Sequence, residues 1–274
     1  MEVDQSDIKI SHRFLDEAGD TTFYGKGKIL TVGNEGVSIS FILGMVKFKE
    51  ELEPLRERII ELQKQVCNDS YFKDIPSILK KAQRDGFYFH ATDDIPEVRK
   101  LFYDFINTIN CSFECVVGRK IPGIYESKHH GKEEEFYADM LSHLLKNKLK
   151  TSGKLVLNIA QRGKSTRNSH LRLALMKAIG RFNEKNKEGR LIEKKVVFNV
   201  QNHYTEPLLN VSDYFCWAVQ RVFERGETRY YNFLKQKISI IHDLYDHANY
   251  DGNRNIYKPS NPLTAQNKIS PPMH

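Results

Sequence analysis

Strand-like and helix-like segments alternate along most of this chain, and that order constrains the fold more than any other feature. Apolar runs predict strands at residues 8–16, 37–48, 87–91, 112–118, 154–160 and 195–200. Helical spacing of apolar side chains predicts helices at residues 50–67, 69–85, 96–109, 132–149, 169–185 and 207–224, with a mixed segment at 230–244. Strands separated by helices favour one α/β domain with a mixed sheet over residues 1–245. Residues 246–274 lose this periodicity and predict an irregular C-terminal tail.

Composition narrows the class of protein. The chain has 274 residues, of which 40% are hydrophobic and 28% charged, as in soluble globular proteins. No apolar run reaches the roughly 20 residues that span a bilayer, and we expect no secretory signal at the N-terminus. The cysteines lack the spacing of a zinc site, which predicts reduced thiols in a cytoplasmic protein. The net charge of +7 favours a polyanionic partner such as nucleic acid.

An acidic motif follows the first predicted strand. The strand ends in the adjacent carboxylates Asp16 and Glu17, and Ala18 and Gly19 then lead to Asp20. A carboxylate at the end of a buried strand needs a cation or a donor nearby. Oxygen ligands of this kind suit Mg²⁺ or Mn²⁺. The alternative is an ordinary polar turn, in which Asp16 caps backbone amides and Asp20 is solvated.

Two further residues are candidates for the same chemistry. Asp213 is the only charged residue in an otherwise apolar helical segment, so we expect it to lie near a buried face. It serves either a functional site or a structural one, the latter with a local Ser or Arg221 as its partner. His90 ends a short predicted strand and either relays a proton near the acids or acts as a core or capping histidine. By contrast, His129 and His130 are expected on the surface, and Tyr214 and Trp217 in the core.

A basic loop follows the strand at 154–160. It places Arg162, Lys164 and Arg167 ahead of a predicted helix N-terminus, where backbone amides favour a phosphate. The Gly-Lys-Ser triplet within the loop lacks the upstream glycine of a P-loop, which excludes that mode of ATP binding. We therefore predict contact with a phosphodiester backbone. A solvated loop with a serine as helix cap is the alternative.

In their order and spacing, three short motifs resemble those of one family. They are the acidic motif at 16–20, Phe-His-Ala at 89–91 and Ser-Asp-Tyr at 212–214. The chain resembles, over about residues 11–241, the bacterial and phage-borne domain-of-unknown-function family numbered three thousand eight hundred. The resemblance implies a ribonuclease-H-like fold, with a mixed central sheet flanked by helices.

The resemblance also implies a metal site. In the ribonuclease-H-like superfamily, an acid on the first central strand and an acid on a late helix hold divalent metals. Carried over to this sequence, those acids are Asp16, with Glu17 beside it, and Asp213. The chain departs from the pattern at Ala160 and Gln161, where another metal-binding acid is often found. A two-metal site needs several carboxylates. Three alternatives stay open: the site holds one metal, it has lost the chemistry, or it recruits another acid. The candidates for recruitment are Glu17, Asp20 and Glu134.

Two functions follow from these expectations. The first is a nuclease or related phosphodiester-processing hydrolase that uses Mg²⁺ or Mn²⁺, with Asp16, Glu17, Asp213 and His90 in its site. The second is a catalytically degenerate module that binds nucleic acid or a protein partner. The acids favour the first function and Ala160 favours the second, while RNA and DNA are both open as substrates.

Overall fold

A seven-stranded mixed sheet lies at the centre of the computed structural model, which describes residues 10–84, 86–148, 153–161, 173, 176–177, 179–180 and 195–269. The strands are β1 (Ile10–Ala18), β2 (Ser40–Phe48), β3 (Cys111–Arg119), β4 (Lys154–Ala160), β5 (Lys195–Gln201), β6 (Ile238–Asp243) and β7 (Ile256–Tyr257). In the described residues, their order across the sheet is β5-β4-β1-β2-β3-β6-β7. Strand β1 is therefore interior, with β4 parallel to it on one side and β2 antiparallel on the other.

Helices cover both faces of this sheet. They are α1 (Leu52–Asn68), α2 (Pro76–Arg84), α3 (Pro96–Thr108), α4 (Pro122–His129), α5 (Glu133–Leu145), α6 (Leu208–Arg225) and α7 (Arg229–Leu234). The long apolar helix α6 packs across β1 and β2, and α1 and α3 share its core cluster. The helices α4 and α5 contribute to a second core cluster that includes Leu15 of β1. Because strand side chains alternate between faces, Phe14, Asp16 and Ala18 of β1 point toward α6.

A glycine in β2 lets α6 approach the sheet. Gly44 pairs with Asp16 across the β1–β2 ladder and with Cys115 across the β2–β3 ladder. A Cβ atom at Gly44 would lie 2.4 Å from the Phe113 ring and 2.7 Å from the Cys216 sulfur of α6. The missing side chain therefore sets how closely this helix approaches β1 beside Asp16.

The α/β class and its mixed sheet confirm the prediction from the sequence. The predicted strand at 87–91 is wrong: this segment is extended but joins no ladder, because the amide of Phe89 donates to the side chain of Asn210. Strands β6 and β7 were not predicted as separate strands. Of the helix predicted at 169–185, residues 173, 176–177 and 179–180 are described and helical, and the rest of that prediction lies outside the described residues.

The described part of the C-terminal tail consists mainly of short turns, but β7 joins the sheet, and Tyr257 and Leu263 are buried. Across the ranges that the structure covers, none of the helices combines the length and the apolar character required to cross a membrane.

Candidate functional site

The candidate site lies where three parallel strands end. Strands β1, β4 and β5 run in the same direction, so their carboxyl ends meet at one edge of the sheet. Asp16 is near the end of β1, and the β1–β4 register continues from the Leu15–Ile159 pair to bring Ala160 beside it. Gln201 ends β5 opposite Ala160. The position next to Asp16 on β4 therefore holds a small apolar side chain in place of an acid.

Asp16 is buried, with 6% of its surface exposed. One of its carboxylate oxygens, Oδ1, accepts the backbone amide of Glu17 at 2.8 Å. The other, Oδ2, lies 2.7 Å from Nε2 of His203, a residue of the loop after β5. Both oxygens therefore have a partner within the chain, and the side-chain partner is a histidine that the sequence analysis did not identify.

Asp213 reaches the same edge from α6. The hydroxyl of Ser212 donates to the carbonyl of Phe14 at 2.8 Å, and the Cys216 thiol donates to the carbonyl of Asp16 at 3.3 Å. These two bonds hold α6 against β1 on either side of Asp213. The Asp213 carboxylate accepts the amide of Ala91 at 2.6 Å. Burial raises the pKa of Asp213 to about 6, where the charge of Asp16 adds to the effect and His90 opposes it. The two acids therefore belong to one electrostatic cluster.

His90 lies between two carboxylates. Its Nδ1 is 3.1 Å from an oxygen of Asp93, and its Nε2 is 3.9 Å from Oδ1 of Asp213. Burial acts to lower the pKa of His90, but Asp213 and Asp93 outweigh it and raise that pKa to about 9. The turn is fixed by Asp94, which accepts the amide of His90 at 2.8 Å. The ring of His90 therefore lies between Asp93 and Asp213, and both carboxylates favour its protonated form.

His203 completes the cluster. Burial acts to lower the pKa of its imidazole, but the contact with Asp16 outweighs burial and raises the pKa. The ring stacks on Tyr88, with centroids 5.9 Å apart and planes 17° from parallel. A signal for this residue was present in the sequence, since His203 follows the strand predicted at 195–200 by three residues. Parallel strands place such residues at the same edge as Asp16.

Asn210 joins the segments that carry the two histidines. It is fully buried on α6, one turn before Asp213. Its side-chain oxygen accepts the amide of Phe89 at 3.1 Å, and its side-chain nitrogen donates to the carbonyl of His203 at 3.0 Å. Asn210 therefore fixes both the segment before His90 and the loop that contains His203. The sequence analysis also missed this residue, because an amide in an apolar helix has no charge to draw attention to it.

The other acidic candidates are placed differently. Glu17 follows Asp16 in β1, so strand alternation directs its side chain to the opposite face of the sheet, the face of Leu15. Asp20 is not a solvated residue of a turn: it accepts bonds from the amide and hydroxyl of Ser38 and from the buried Lys120. Glu134 lies in the first turn of α5, a helix that packs on the face of Leu15.

Two structural expectations are wrong. Arg221 does not pair with Asp213, because its guanidinium forms an ion pair with Glu227. His129 is not on the surface but only 1% exposed, since it ends α4 over the core and contacts Asp139 and Tyr245. The expected core positions of Tyr214 and Trp217 are confirmed.

The basic residues Arg162, Lys164 and Arg167 lie outside the described residues, so their role as a nucleic-acid contact stays a prediction. Within the part of the chain that the structure describes, no group of three or more His, Cys, Asp or Glu side chains is arranged to hold a metal ion. The cluster offers two carboxylates, from Asp16 and Asp213. Mg²⁺ commonly binds proteins through one or two carboxylates and keeps several waters, so this donor set fits such an ion.

Comparisons with known proteins do not identify the chain. No family model matches it, and the search of curated proteins found no match. The resemblance described from the sequence motifs therefore stays a prediction.

Proposed function

We propose that this protein is a metal-dependent nuclease of the ribonuclease-H-like type, which hydrolyses phosphodiester bonds in nucleic acid with Mg²⁺ or Mn²⁺. One observation carries the proposal: Asp16 and Asp213, almost 200 residues apart in sequence, share one buried cluster in which the charge of Asp16 helps to raise the pKa of Asp213. An interior strand supplies the first acid and a late helix the second, which supports the resemblance to that superfamily. The basic net charge of +7 supports a nucleic-acid partner.

The proposed ligands are the carboxylates of Asp16 and Asp213. An ion held between them would polarise a phosphate oxygen and lower the pKa of a bound water. We leave Glu17 out of this set, because strand alternation directs it to the other face.

His90 has the properties of a proton donor in this reaction. With a pKa of about 9 it is protonated at neutral pH, and its side chain is one-third exposed beside the buried Asp213. An imidazolium at this position can donate to the oxygen that leaves phosphorus. Asp93 orients the ring and keeps it charged. His203 has a different role, because its bond to Asp16 holds that carboxylate in place.

Thermal unfolding with and without MnCl₂ tests the metal site, and cleavage of labelled RNA and DNA tests the activity. Metal at about 100 times its Kd stabilises a folded protein by about 2.7 kcal/mol. We expect the wild type to show this increase in stability with MnCl₂ and to cleave nucleic acid. Asp16→Asn should lose both properties. Asp104→Asn is the matched control, because Asp104 is an exposed acid of α3 that pairs with Lys100. An equal loss in both variants would contradict the proposed site.

A second function is supported by the residues around Asp16. Ala160 occupies the neighbouring strand position, and His203 and His90 already lie against the carboxylates of Asp16 and Asp213. These features suit a module that keeps the fold and binds nucleic acid or a protein partner without cutting. A wild type that neither responds to Mn²⁺ nor cleaves, yet binds an oligonucleotide, would support this alternative.

We also propose a cytoplasmic location, which the free cysteines of the described residues support.

A further inference from the structure

The loop after β5 carries two adjacent aromatic residues with different surroundings. His203 is directed inward to Asp16, whereas 53% of the Tyr204 surface is exposed. Asn202 fixes this turn, because its side-chain oxygen accepts the amides of Tyr204 at 3.0 Å and Thr205 at 2.8 Å. The side-chain amide of Asn210 also holds this loop, because it donates a hydrogen bond to the carbonyl of His203. The exposed tyrosine is therefore carried by a turn that hydrogen bonds hold at the edge of the acidic cluster.

The Tyr204 ring rests against a glycine of the segment that leads to His90. Gly86 has a φ of +91°, and a Cβ atom there would lie 2.1 Å from Cε2 of Tyr204. Any side chain at residue 86 would displace the ring. An isolated exposed tyrosine needs no explanation, but here the backbone of a second segment supports the ring. The contact gives Tyr204 a fixed position while more than half of its surface stays accessible.

This position lies next to the proposed reaction centre. Tyr204 is joined covalently to His203, and the His203 ring contacts both Asp16 and Tyr88. The residue that contacts the Asp16 carboxylate is therefore the immediate neighbour of Tyr204 in the chain. Aromatic side chains that stack on bases are the usual means by which proteins bind unpaired strands, and stacking tolerates every base.

We propose that Tyr204 is a stacking platform for a base beside the scissile phosphate, and that the substrate class is therefore single-stranded nucleic acid. The inference rests on the proposed nuclease function. A base in a duplex already stacks on its neighbours and pairs through its edge, so it cannot lie on the tyrosine. An unpaired base offers a free face. The tyrosine ring, rather than its hydroxyl group, makes the contact.

The test measures binding in EDTA, where no metal-dependent cleavage occurs, on the full chain. The probes are a short oligonucleotide that contains 2-aminopurine, as single-stranded DNA, as single-stranded RNA and as a duplex. We expect the wild type to prefer the single strands and to quench 2-aminopurine on binding. Tyr204→Ala should weaken single-strand binding about ten-fold and lose the quenching, whereas Tyr204→Phe should keep both.

Tyr71→Ala is the matched control, because Tyr71 is a 69% exposed tyrosine in the connection between α1 and α2. Equal binding by wild type and Tyr204→Ala, an equal loss in Tyr71→Ala, or a preference for the duplex would overturn the inference. Cleavage with Mn²⁺ separates this result from the proposed function. If the wild type binds single strands through Tyr204 but cuts none, the result contradicts the nuclease function and supports the stacking role of Tyr204. If the wild type cuts and Tyr204→Ala neither binds nor cuts less well, the result supports the nuclease function and contradicts the stacking role.

Discussion

Asp213 shows how a single buried carboxylate can oppose the stability of the fold that positions it. Burial and the charge of Asp16 raise its pKa to about 6, so the folded state holds the proton up to a higher pH than the unfolded state does. A group with a raised folded-state pKa stabilises the protein below its unfolded pKa. It loses that contribution as the pH rises through the folded pKa. At neutral pH, the ionised Asp213 is therefore a cost that the metal-free protein carries.

We expect Asp213→Asn to raise the melting temperature of the metal-free protein at pH 8 and to have little effect near pH 4. The amide keeps the shape of the carboxylate and can still accept the amide of Ala91. The gain in free energy of unfolding should be on the order of 2 kcal/mol at pH 8, which differential scanning calorimetry at both pH values would measure. A lower melting temperature at pH 8 would mean that the contact with His90 stabilises the ionised acid overall.

His90 should show the same direction of pH dependence over a higher pH range, because its folded-state pKa is also raised. Its pKa is raised to about 9 because Asp213 and Asp93 outweigh the effect of burial. The protonated ring therefore stabilises the fold fully below about pH 6.5, the unfolded value, and this contribution is lost as the pH rises through 9. We expect His90→Gln to lower the melting temperature clearly at pH 6 and much less at pH 10. A difference that is constant over this range would assign the loss to packing rather than to charge.

At the scale of elements, periodicity predicted the strands and helices whose apolar residues face one core. Strand β4 matches its prediction at 154–160, and α6 begins and ends one residue after the helix predicted at 207–224. The segment at 87–91 has the apolar alternation of a strand, but its amide at Phe89 bonds to Asn210. Local pattern cannot show a partner that lies 121 residues away. The same limit explains why Asp16 and Asp213 could be predicted from their apolar surroundings, whereas Asn210 could not. For His203 the sequence indicated a position after a strand, but not the contact with Asp16.

The approach of α6 to β2 gives a prediction about these elements. A Cβ atom at Gly44 would meet the Phe113 ring and the Cys216 sulfur well inside contact distance, and both groups are buried. Gly44→Ala should therefore push α6 from β1 and destabilise the protein by about 1–3 kcal/mol. Because Asp213 lies on that helix, the response to Mn²⁺ should weaken as well. Urea unfolding measures the first effect, and thermal unfolding with MnCl₂ the second.

Gly123→Ala is the matched control for that experiment. Gly123 lies in α4, and a Cβ atom there would have nothing within 4 Å. Alanine favours a helix over glycine by about 0.5–1 kcal/mol, so the control should be neutral or more stable than the wild type. If Gly44→Ala behaved like this control, α6 would have room to relax, and close packing would not explain the position of Asp213.

For the whole molecule, composition predicts a charge but not the surface on which the charge acts. The net charge of +7 is a property of the entire sequence, and the basic loop at 162–167 lies outside the described residues. The topology of the sheet, by contrast, does locate the edge at which the candidate site lies. Parallel strands β1, β4 and β5 bring their ends to one edge, so the loop that follows β4 begins at the edge where Asp16 lies. A strand order of this kind depends on long-range pairing, which periodicity within one segment does not encode.

That topology gives a reason to test the basic loop as a contact for the substrate backbone. Each phosphate contact to a single strand contributes about −0.7 to the slope of log binding constant against log salt. Replacing Arg162, Lys164 and Arg167 together with Ala should therefore weaken oligonucleotide binding and flatten the slope by up to about 2. Removing three charges elsewhere controls for the net charge, and Lys64, Lys73 and Lys235 are exposed residues suited to this. If both triple variants flatten the slope equally, the overall charge rather than this loop attracts the nucleic acid. A loss confined to the first variant would show that Arg162, Lys164 and Arg167 contact the substrate backbone.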